Sequence, residues 1–529
     1  MGVLGLQTFI NNNNIGENVY LHNIKEDCRQ GGKPHILIDG NSLLYYIHKK
    51  CYSNAVWGGD YNILHSYVKK FFYKIKKNIV LEVIFDGITP IYKNDTINNR
   101  RKTKCVRYYK IWSNIKKNNS DFKDIAPPIG LIDIIIKVLK NLNIHYCVAD
   151  EENDDYISWK CIKYKYQGII AQDTDYLIYP ISCYIPLNTI TFTNDGTKVL
   201  MIKPSMLANH LKLEVNKLPI LATLIGNDIF SKKYINSFYK DLNSLDDNSK
   251  WFNIAKKINE NKNFTNMLQN NEIKKKWDIS VKRYHSPKPK TNNFINNNDK
   301  YLWNIYRKGL FPTSAFLIRY RKQMYYSSVG PDESYNIIDN LIELRQKYYS
   351  VLTKDVIKEM QWRYYKKDVF LKEWYVVPSK KYKDINFYFS NFDKKYNLNT
   401  VTDIVETPSF KKHIFIKQLI WMMKNSRFVD NTNDQDTIAI ISMIVANKHQ
   451  IFFHYKNKVI WNNVVTYMKL LSLYREVRFI HTICNTECNI NDLEEIYNGS
   501  TLQYLLNNPQ ECDQFKDYEL YKELIKDIF

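Results

Sequence analysis

Residues 1–235 alternate short, unbroken apolar runs with longer amphipathic ones. Ile36-Leu37-Ile38 ends in Asp39, and Val80 to Phe85 ends in Asp86. Runs with no polar face predict strands buried on both sides of a sheet. His145 to Val148 and Gly168 to Ala171 predict two more. Between them, Ser42 to Lys50, Ile63 to Ile75, a stretch opened by Pro127-Pro128 and running through Leu142, and Glu152 to Tyr166 have helical period. Strands alternating with helices in this way predict an α/β fold, a mostly parallel sheet flanked by helices. Two helices follow Pro204, the second running Leu218 to Ile225 and stopping at Gly226-Asn227-Asp228. From residue 236 to 529 the period is helical with few strand signals, so this region is expected to be mainly α-helical. Ser286-Pro287-Lys288-Pro289-Lys290 and the Asn-rich run to Asp299 predict an exposed linker near 285–299.

Composition narrows the picture. The 529 residues leave room for two or three domains, and 44% hydrophobic with 25% charged residues excludes a disordered chain. Lys and Arg number 76 against 54 Asp and Glu, a net charge of +22 that favours an anionic partner. Only 13 of the 76 basic residues are Arg, and Asn, Ile, Lys and Tyr are heavily used. An A/T-rich coding sequence produces that usage without selection for binding, so the position of the charge matters more than its total. Nine scattered cysteines imply no disulfide framework and fit a reducing compartment. His481-x-x-Cys484-x-x-x-Cys488 lacks a fourth ligand nearby and is not read as a zinc site. No segment approaches the ~20 apolar residues of a membrane span. The start has no basic n-region, and Leu6 stands where a myristoylation site wants Ser or Thr.

The candidate chemistry lies in the acids. Asp39 and Asp86 end buried strands, Asp173-Thr174-Asp175 follows a third, Glu152 and Asp154 open a helix, and Asp228 follows one. Singly, each reads as a turn residue or a helix cap. Sites in open parallel sheets form at the C-terminal edge of the strands, where all of these would project. Carboxylates crowded there repel, and no Arg or Lys adjoins them in sequence. Divalent cations would resolve the repulsion, and oxygen-only ligands select Mg²⁺ or Mn²⁺. Two such ions can activate water and clamp the leaving oxygen of a phosphodiester, which points to a nuclease or phosphatase.

The motifs then become specific. Met1-Gly2-Val3-Leu4-Gly5-Leu6, Ile38-Asp39, Phe85-Asp86-Gly87, Glu152-Asn153-Asp154, Asp173-Thr174-Asp175 and Gly226-Asn227-Asp228 together resemble the flap-endonuclease/XPG superfamily of PIN-like nucleases. Within it the chain is most similar to the asteroid family, through Trp57-Gly58-Gly59-Asp60-Tyr61 and Ile496-Tyr497-Asn498-Gly499-Ser500. The resemblance implies a PIN-like nuclease domain over 1–235 with a basic gateway segment at about 88–120, then an asteroid-type helical region. It implies two Mg²⁺ ions, with Mn²⁺ able to substitute: one held by Asp39, Asp86, Glu152 and Asp154, the second by Asp173, Asp175 and Asp228. A metal-bound hydroxide would attack the phosphorus, and the amino terminus at Gly2 would pack near the site. Lys93 and Arg100 fall where the superfamily contacts the scissile phosphate, and Arg101, Lys104 and Arg107 continue the basic run.

Read from the residues, that run is a basic helix whose Tyr108 and Tyr109 could stack on unpaired bases. Flap endonucleases follow their last Asp with a Gly-rich segment that grips duplex DNA; Ile229 to Tyr234 has no such glycines. The resemblance therefore implies a structure-specific endonuclease of single-stranded or 3′-overhang DNA, acting in DNA repair in the nucleus. Repair proteins would be recruited through the C-terminal helices. The alternative is a catalytically silent nucleic-acid-binding or signalling scaffold on the same fold.

Overall fold

The computed structural model describes residues 2–24, 32–51, 59–77, 79–117, 130–151, 153–235, 238, 246–260, 264, 268, 271–287, 300–309, 317–326, 339, 342–365, 368–378, 415–416, 419–420, 423, 433–453, 461–484 and 493–528. Glu152, Trp57-Gly58, Pro127-Pro128, the run from Lys288 to Asp299 and the side chains of His481, Cys484 and Cys488 lie outside the described residues. The chain forms two compact units that interleave in sequence. The first takes residues 1–47, 69–97 and 139–295; the second takes 48–68, 98–138 and 296–529.

The helices of the first half are α1 (Leu6–Asn12), α2 (Gly40–Lys50), α3 (Tyr61–Ile75), α4 (Asn94–Lys116), α5 (Leu131–Asn141), α6 (Asn153–Lys163), α7 (Pro204–His210) and α8 (Leu218–Ile225). The strands of the first unit are β1 (Glu17–Tyr20), β2 (His35–Asp39), β3 (Val80–Phe85), β4 (His145–Val148), β5 (Gly168–Ala171), β6 (Tyr184–Pro186), β7 (Thr191–Thr193) and β8 (Gly196–Met201). Five of these strands form an all-parallel sheet in the order β4-β3-β2-β5-β6. Ile36, Leu37, Ile38, Val83, Ile84, Phe85, Ile169 and Ile170 are fully buried, which is why these strands read as continuous apolar runs. The chain runs outward from β2 through β3 to β4, then returns to pair β5 on the other side of β2. The strand order therefore reverses between β2 and β5, the place where an α/β sheet opens a crevice at its C-terminal edge. The antiparallel trio β1-β8-β7 and the three-residue β6 carry no period-two signal long enough to read.

The first unit continues past residue 235. α8 is buried nearly all round, as a helix apolar on every side must be. It ends at Gly226 with φ 105°, a conformation that strains any residue bearing a Cβ. The helices Asp247–Asn259 and Asn271–His285 pack on α8. Trp251 of the first stacks on Phe9 with ring centroids 4.8 Å apart. Ser280 of the second exchanges a 2.8 Å hydrogen bond with Thr223 and accepts another of 2.8 Å from Asn227 Nδ2.

The second unit contains a sheet where helix was expected. β9 (Gln323–Tyr326), β10 (Ile357–Tyr365) and β11 (Asp368–Val376) pair in the order β11-β10-β9. β10 and β11 form a nine-pair antiparallel hairpin from Ile357↔Val376 to Tyr365↔Asp368. Aromatic and β-branched residues favour strands, and Met360, Trp362 and Tyr364 of β10 alternate with Gln361 and Arg363, but β11 groups Val369-Phe370-Leu371 and Trp374-Tyr375-Val376 around Lys372-Glu373 and carries no clean period of two. Beneath this sheet Arg345 and Glu359 form a fully buried pair, Nε to Oε1 2.7 Å and Nη2 to Oε2 3.0 Å. Tyr349 and Tyr326 also donate to Glu359.

Two segments that carried the asteroid resemblance meet in this unit. Asp60 accepts from the Ser500 amide at 2.9 Å and from its hydroxyl at 2.8 Å. The Gly499 amide donates to the Gly59 carbonyl at 3.1 Å, and Tyr61 meets Tyr497 edge-on at 5.7 Å. These motifs act as a clasp that closes the second unit across 440 residues of sequence. No helix among the described residues is long and apolar enough to cross a membrane.

Candidate metal and active site

Parallel register brings the acids together. Asp39 pairs with Ile84 at the end of β2, two positions short of Asp86 after β3. Asp39 caps α2: its Oδ1 accepts from the amides of Asn41 (2.9 Å) and Ser42 (3.1 Å), and its Oδ2 from the Ser42 hydroxyl (2.7 Å). Asn153 links the first two acids, donating through Nδ2 to Asp39 at 2.8 Å and through its amide to Asp86 at 3.0 Å. Asn41 donates to Asp86 Oδ2 at 2.6 Å and accepts the Asp86 amide at 3.1 Å. Tyr176 spans Asp39 (3.5 Å) and Asp154 (3.2 Å). Asp173 accepts the Asp175 amide at 3.4 Å, and Asp175 Oδ2 accepts from Tyr284 at 3.2 Å. Asp175 Oδ1 is buried with no hydrogen-bond partner among the described residues. Gly2 lies against these acids so closely that a Cβ there would sit 2.2 Å from Asp173 Oδ1 and 2.8 Å from Asp175 Oδ1.

Among the described residues, two side-chain cations stand with these carboxylates, and neither is adjacent to them in sequence. Lys93, 2% exposed, pairs with Asp228 at 3.6 Å. Arg283 donates through Nη2 to Asp154 at 3.1 Å and through Nε to Asp155 at 2.5 Å. Asp155 also accepts from Tyr179 at 2.6 Å. The repulsion read from the sequence is thus relieved in part by the protein itself. Burial works against the charge of Asp154, but Arg283 and Lys93 outweigh it and hold that carboxyl below the ordinary range.

Asp39, Asp173 and Asp175 stay strained. Burial, then the charge of Asp154, pushes Asp39 up to about 6. Burial raises Asp173, with Asp154 adding to the rise, and burial with the charge of Asp173 raises Asp175 far more. The metal-free protein should show this as pH-dependent stability. A folded state with raised carboxyl pKa values holds protons that the unfolded chain has released, so stability falls as pH rises between about 4 and about 6. The Asp39 shift from 3.8 to about 6 is on the order of 3 kcal/mol. Asp154, shifted the other way, loses its contribution only in more acid solution. Thermal unfolding in EDTA is expected to give a higher Tm at pH 5 than at pH 7.5, with Asp39→Asn flattening the difference. A Tm that rises across that interval contradicts the charge pattern.

The donor set is oxygen only, its charge is under-compensated, and Asp175 Oδ1 has no described hydrogen-bond partner; this chemistry fits a hard divalent cation. Among the described residues no three acidic, imidazole or thiol side chains stand close enough to hold one ion.

The basic run divides. Lys93 lies with the acids, whereas Arg100, Arg101, Lys104 and Arg107 belong to the second unit. Arg100, Lys104 and Arg107 are exposed and spaced along one face of α4. Arg101 lies on the Tyr325 ring at 3.7 Å, and Tyr109 stacks on Tyr364 at 3.5 Å. Tyr109, expected to stack on bases, is thus engaged inside the protein. Arg283, Asp155, Tyr176, Tyr284, Asn41 and Asn153 were not found by reading the sequence. Arg283 had a signal: it is one of 13 Arg in a chain that prefers Lys.

Residues 211–303 match the FAM120A-like domain family. The chain is 30% identical over 258 residues to the constitutive coactivator of peroxisome proliferator-activated receptor gamma of Mus musculus, covering 46% of this chain and 32% of that protein. It is 25% identical over 251 residues to the single-strand DNA endonuclease ASTE1 of Homo sapiens, covering 43% of this chain and 33% of that protein. The matched stretch thus spans about a third of the length of these relatives. Among solved structures, flap endonuclease-1 from Methanococcus jannaschii is similar at 17% identity and TM-score 0.33, over 53% of this chain and 85% of that one.

Proposed function

We propose that this chain is an asteroid-like PIN nuclease, a divalent-metal-dependent, structure-specific endonuclease of single-stranded or 3′-overhang DNA. The observation that carries this reading is the gathering of Asp39, Asp86, Asp154, Asp173, Asp175 and Asp228 at the C-terminal edge, where the strand order reverses. Asp39, Asp86, Glu152 and Asp154 would hold one Mg²⁺, and Asp173, Asp175 and Asp228 a second. When bound, such ions supply Lewis acidity for the phosphodiester and lower the pKa of an attacking water.

The chain's own residues do the rest. Asn41 and Asn153 lock Asp39 and Asp86 in orientation, and Tyr176 does the same for Asp154. Lys93 balances Asp228 in the metal-free site and would exchange it for a phosphate oxygen of bound DNA. The exposed face of Arg100, Lys104 and Arg107 supplies phosphate contacts that do not depend on base sequence. The missing Gly-rich duplex grip after Asp228 favours unpaired or overhanging DNA over duplex-anchored 5′ flaps. Action in the nucleus follows from the DNA substrate and from Arg100-Arg101-Lys102-x-Lys104 as an import signal, with repair partners on the C-terminal helices.

The test is cleavage of matched single-stranded, 3′-overhang, 5′-flap and RNA substrates in Mg²⁺, Mn²⁺ or EDTA. Cleavage of the first two with metal, and none in EDTA, is expected. Tight binding without cleavage in any condition assigns the chain to the scaffold alternative instead.

A further inference from the structure

We propose that Arg283 is the site's built-in counter-cation, a positioning residue whose grip on Asp154 a divalent ion must compete with on entering the carboxylate cluster. The proposal rests on the nuclease reading above and concerns how that site takes up its metal.

The geometry is that of a fixed charge. The Arg283 side chain is 5% exposed and spans two carboxylates with separate nitrogens, Nη2 to Asp154 at 3.1 Å and Nε to Asp155 at 2.5 Å. A guanidinium cannot shed its proton to escape burial, so this charge is permanent. Its position is set from both sides. One helical turn earlier, Ser280 is tied to Thr223 and Asn227 by 2.8 Å hydrogen bonds. The next residue, Tyr284, donates to Asp175. The guanidinium carbon lies 6.0 Å and 5.8 Å from the ring centroids of Tyr179 and Tyr284, and Tyr179 in turn holds Asp155. The helix Asn271–His285 therefore delivers a rigid positive charge to a carboxylate assigned to the first ion. Two consequences follow. Arg283 makes the metal-free cluster tolerable by supplying positive charge to Asp154 and Asp155, which the neutral hydroxyls of Tyr176 and Tyr179 bond without neutralising. It also repels an incoming cation and occupies an oxygen of Asp154, so the site folds empty at the expense of metal affinity.

The experiment is Mn²⁺ binding to the full chain, followed by the EPR signal of free Mn²⁺, with thermal unfolding in EDTA and in saturating Mn²⁺. Arg283→Gln is expected to bind Mn²⁺ about tenfold more tightly than the parent chain. It should unfold at a lower temperature in EDTA and gain more from Mn²⁺ than the parent does. Arg283→Lys loses the two-pronged grip but keeps the charge that the metal must compete with, so its affinity should stay within about threefold of the parent. Equal or weaker Mn²⁺ binding by Arg283→Gln overturns the proposal while leaving the nuclease reading intact. Failure of the parent chain to bind Mn²⁺ overturns both. If Arg283→Gln does not fold even with Mn²⁺, Arg283→Lys decides, and a tenfold change in its affinity in either direction overturns the proposal.

Discussion

Replacing Asp173 with Ala is expected to lower metal-dependent cleavage of a labelled 3′-overhang by about three orders of magnitude or more, the scale of losing a preorganised electrostatic group at a reacting phosphate. The same substitution should leave the fold intact. Asp173 follows β5 as the cap of a short 3-10 turn, and its hydrogen bond from the Asp175 amide is long, 3.4 Å. Its charge is one that raises its neighbour Asp175, so removing it relieves repulsion inside the cluster. The Tm in EDTA should therefore hold or rise slightly while activity disappears. Asp39→Ala should also abolish cleavage, but with a different signature. Asp39 accepts from Asn41, from the amide and hydroxyl of Ser42, and from Asn153, so its loss also uncaps α2 and frees Asn153. Loss of a helix cap alone costs about 1 kcal/mol. Asp173→Ala is thus the cleaner test. Full cleavage by that variant with Mg²⁺ present, at parental stability, would remove the carboxylate cluster from the chemistry.

The second large effect lies away from the site. Arg345→Leu should destabilise the second unit by about 3–5 kcal/mol, because it strands the Glu359 carboxylate in the interior. Glu359 is 0% exposed and takes two hydrogen bonds from Arg345, leaving Tyr326 and Tyr349 as its remaining described donors. Phenols cannot neutralise a buried anion. Arg345→Met combined with Glu359→Leu should recover most of the loss, since an apolar pair of similar volume leaves no charge to compensate. Urea unfolding followed by circular dichroism measures both. Equal destabilisation by the single and double variants would mean that the pair acts through packing and not through charge. Cleavage is not expected to follow these changes at temperatures where the unit stays folded.

Particular residues show how far the sequence could be read. The parallel sheet was legible because β2 and β5 are apolar on both faces over Ile36–Ile38 and Gly168–Ala171, and β3 is interrupted only by Glu82. The hairpin of β10 and β11 was not, because its charged residues stand in adjacent pairs, Lys358-Glu359 and Lys372-Glu373, that break a strand's alternation within a region of helical period. The acids could be named because strand ends in a parallel sheet share one edge, so order along the chain becomes proximity in space. Glu152 is part of that reading and lies outside the described residues. Asp60 and Ser500 were noticed as parts of separate motifs; that they bond to one another is visible only in three dimensions.

By itself, then, the sequence determined the local facts: that β2, β3, β4 and β5 are strands, which carboxylates lie at their ends, and where the basic residues cluster. These depend on periodicity and on neighbours a few positions away, and both survive in a linear string. Charge compensation was decided by the tertiary structure. Arg283 lies 129 residues from Asp154 and Lys93 lies 135 from Asp228, yet each pair is in contact. Coulomb energy depends on distance through space, and only folding, by packing the helix Asn271–His285 onto α8, sets that distance.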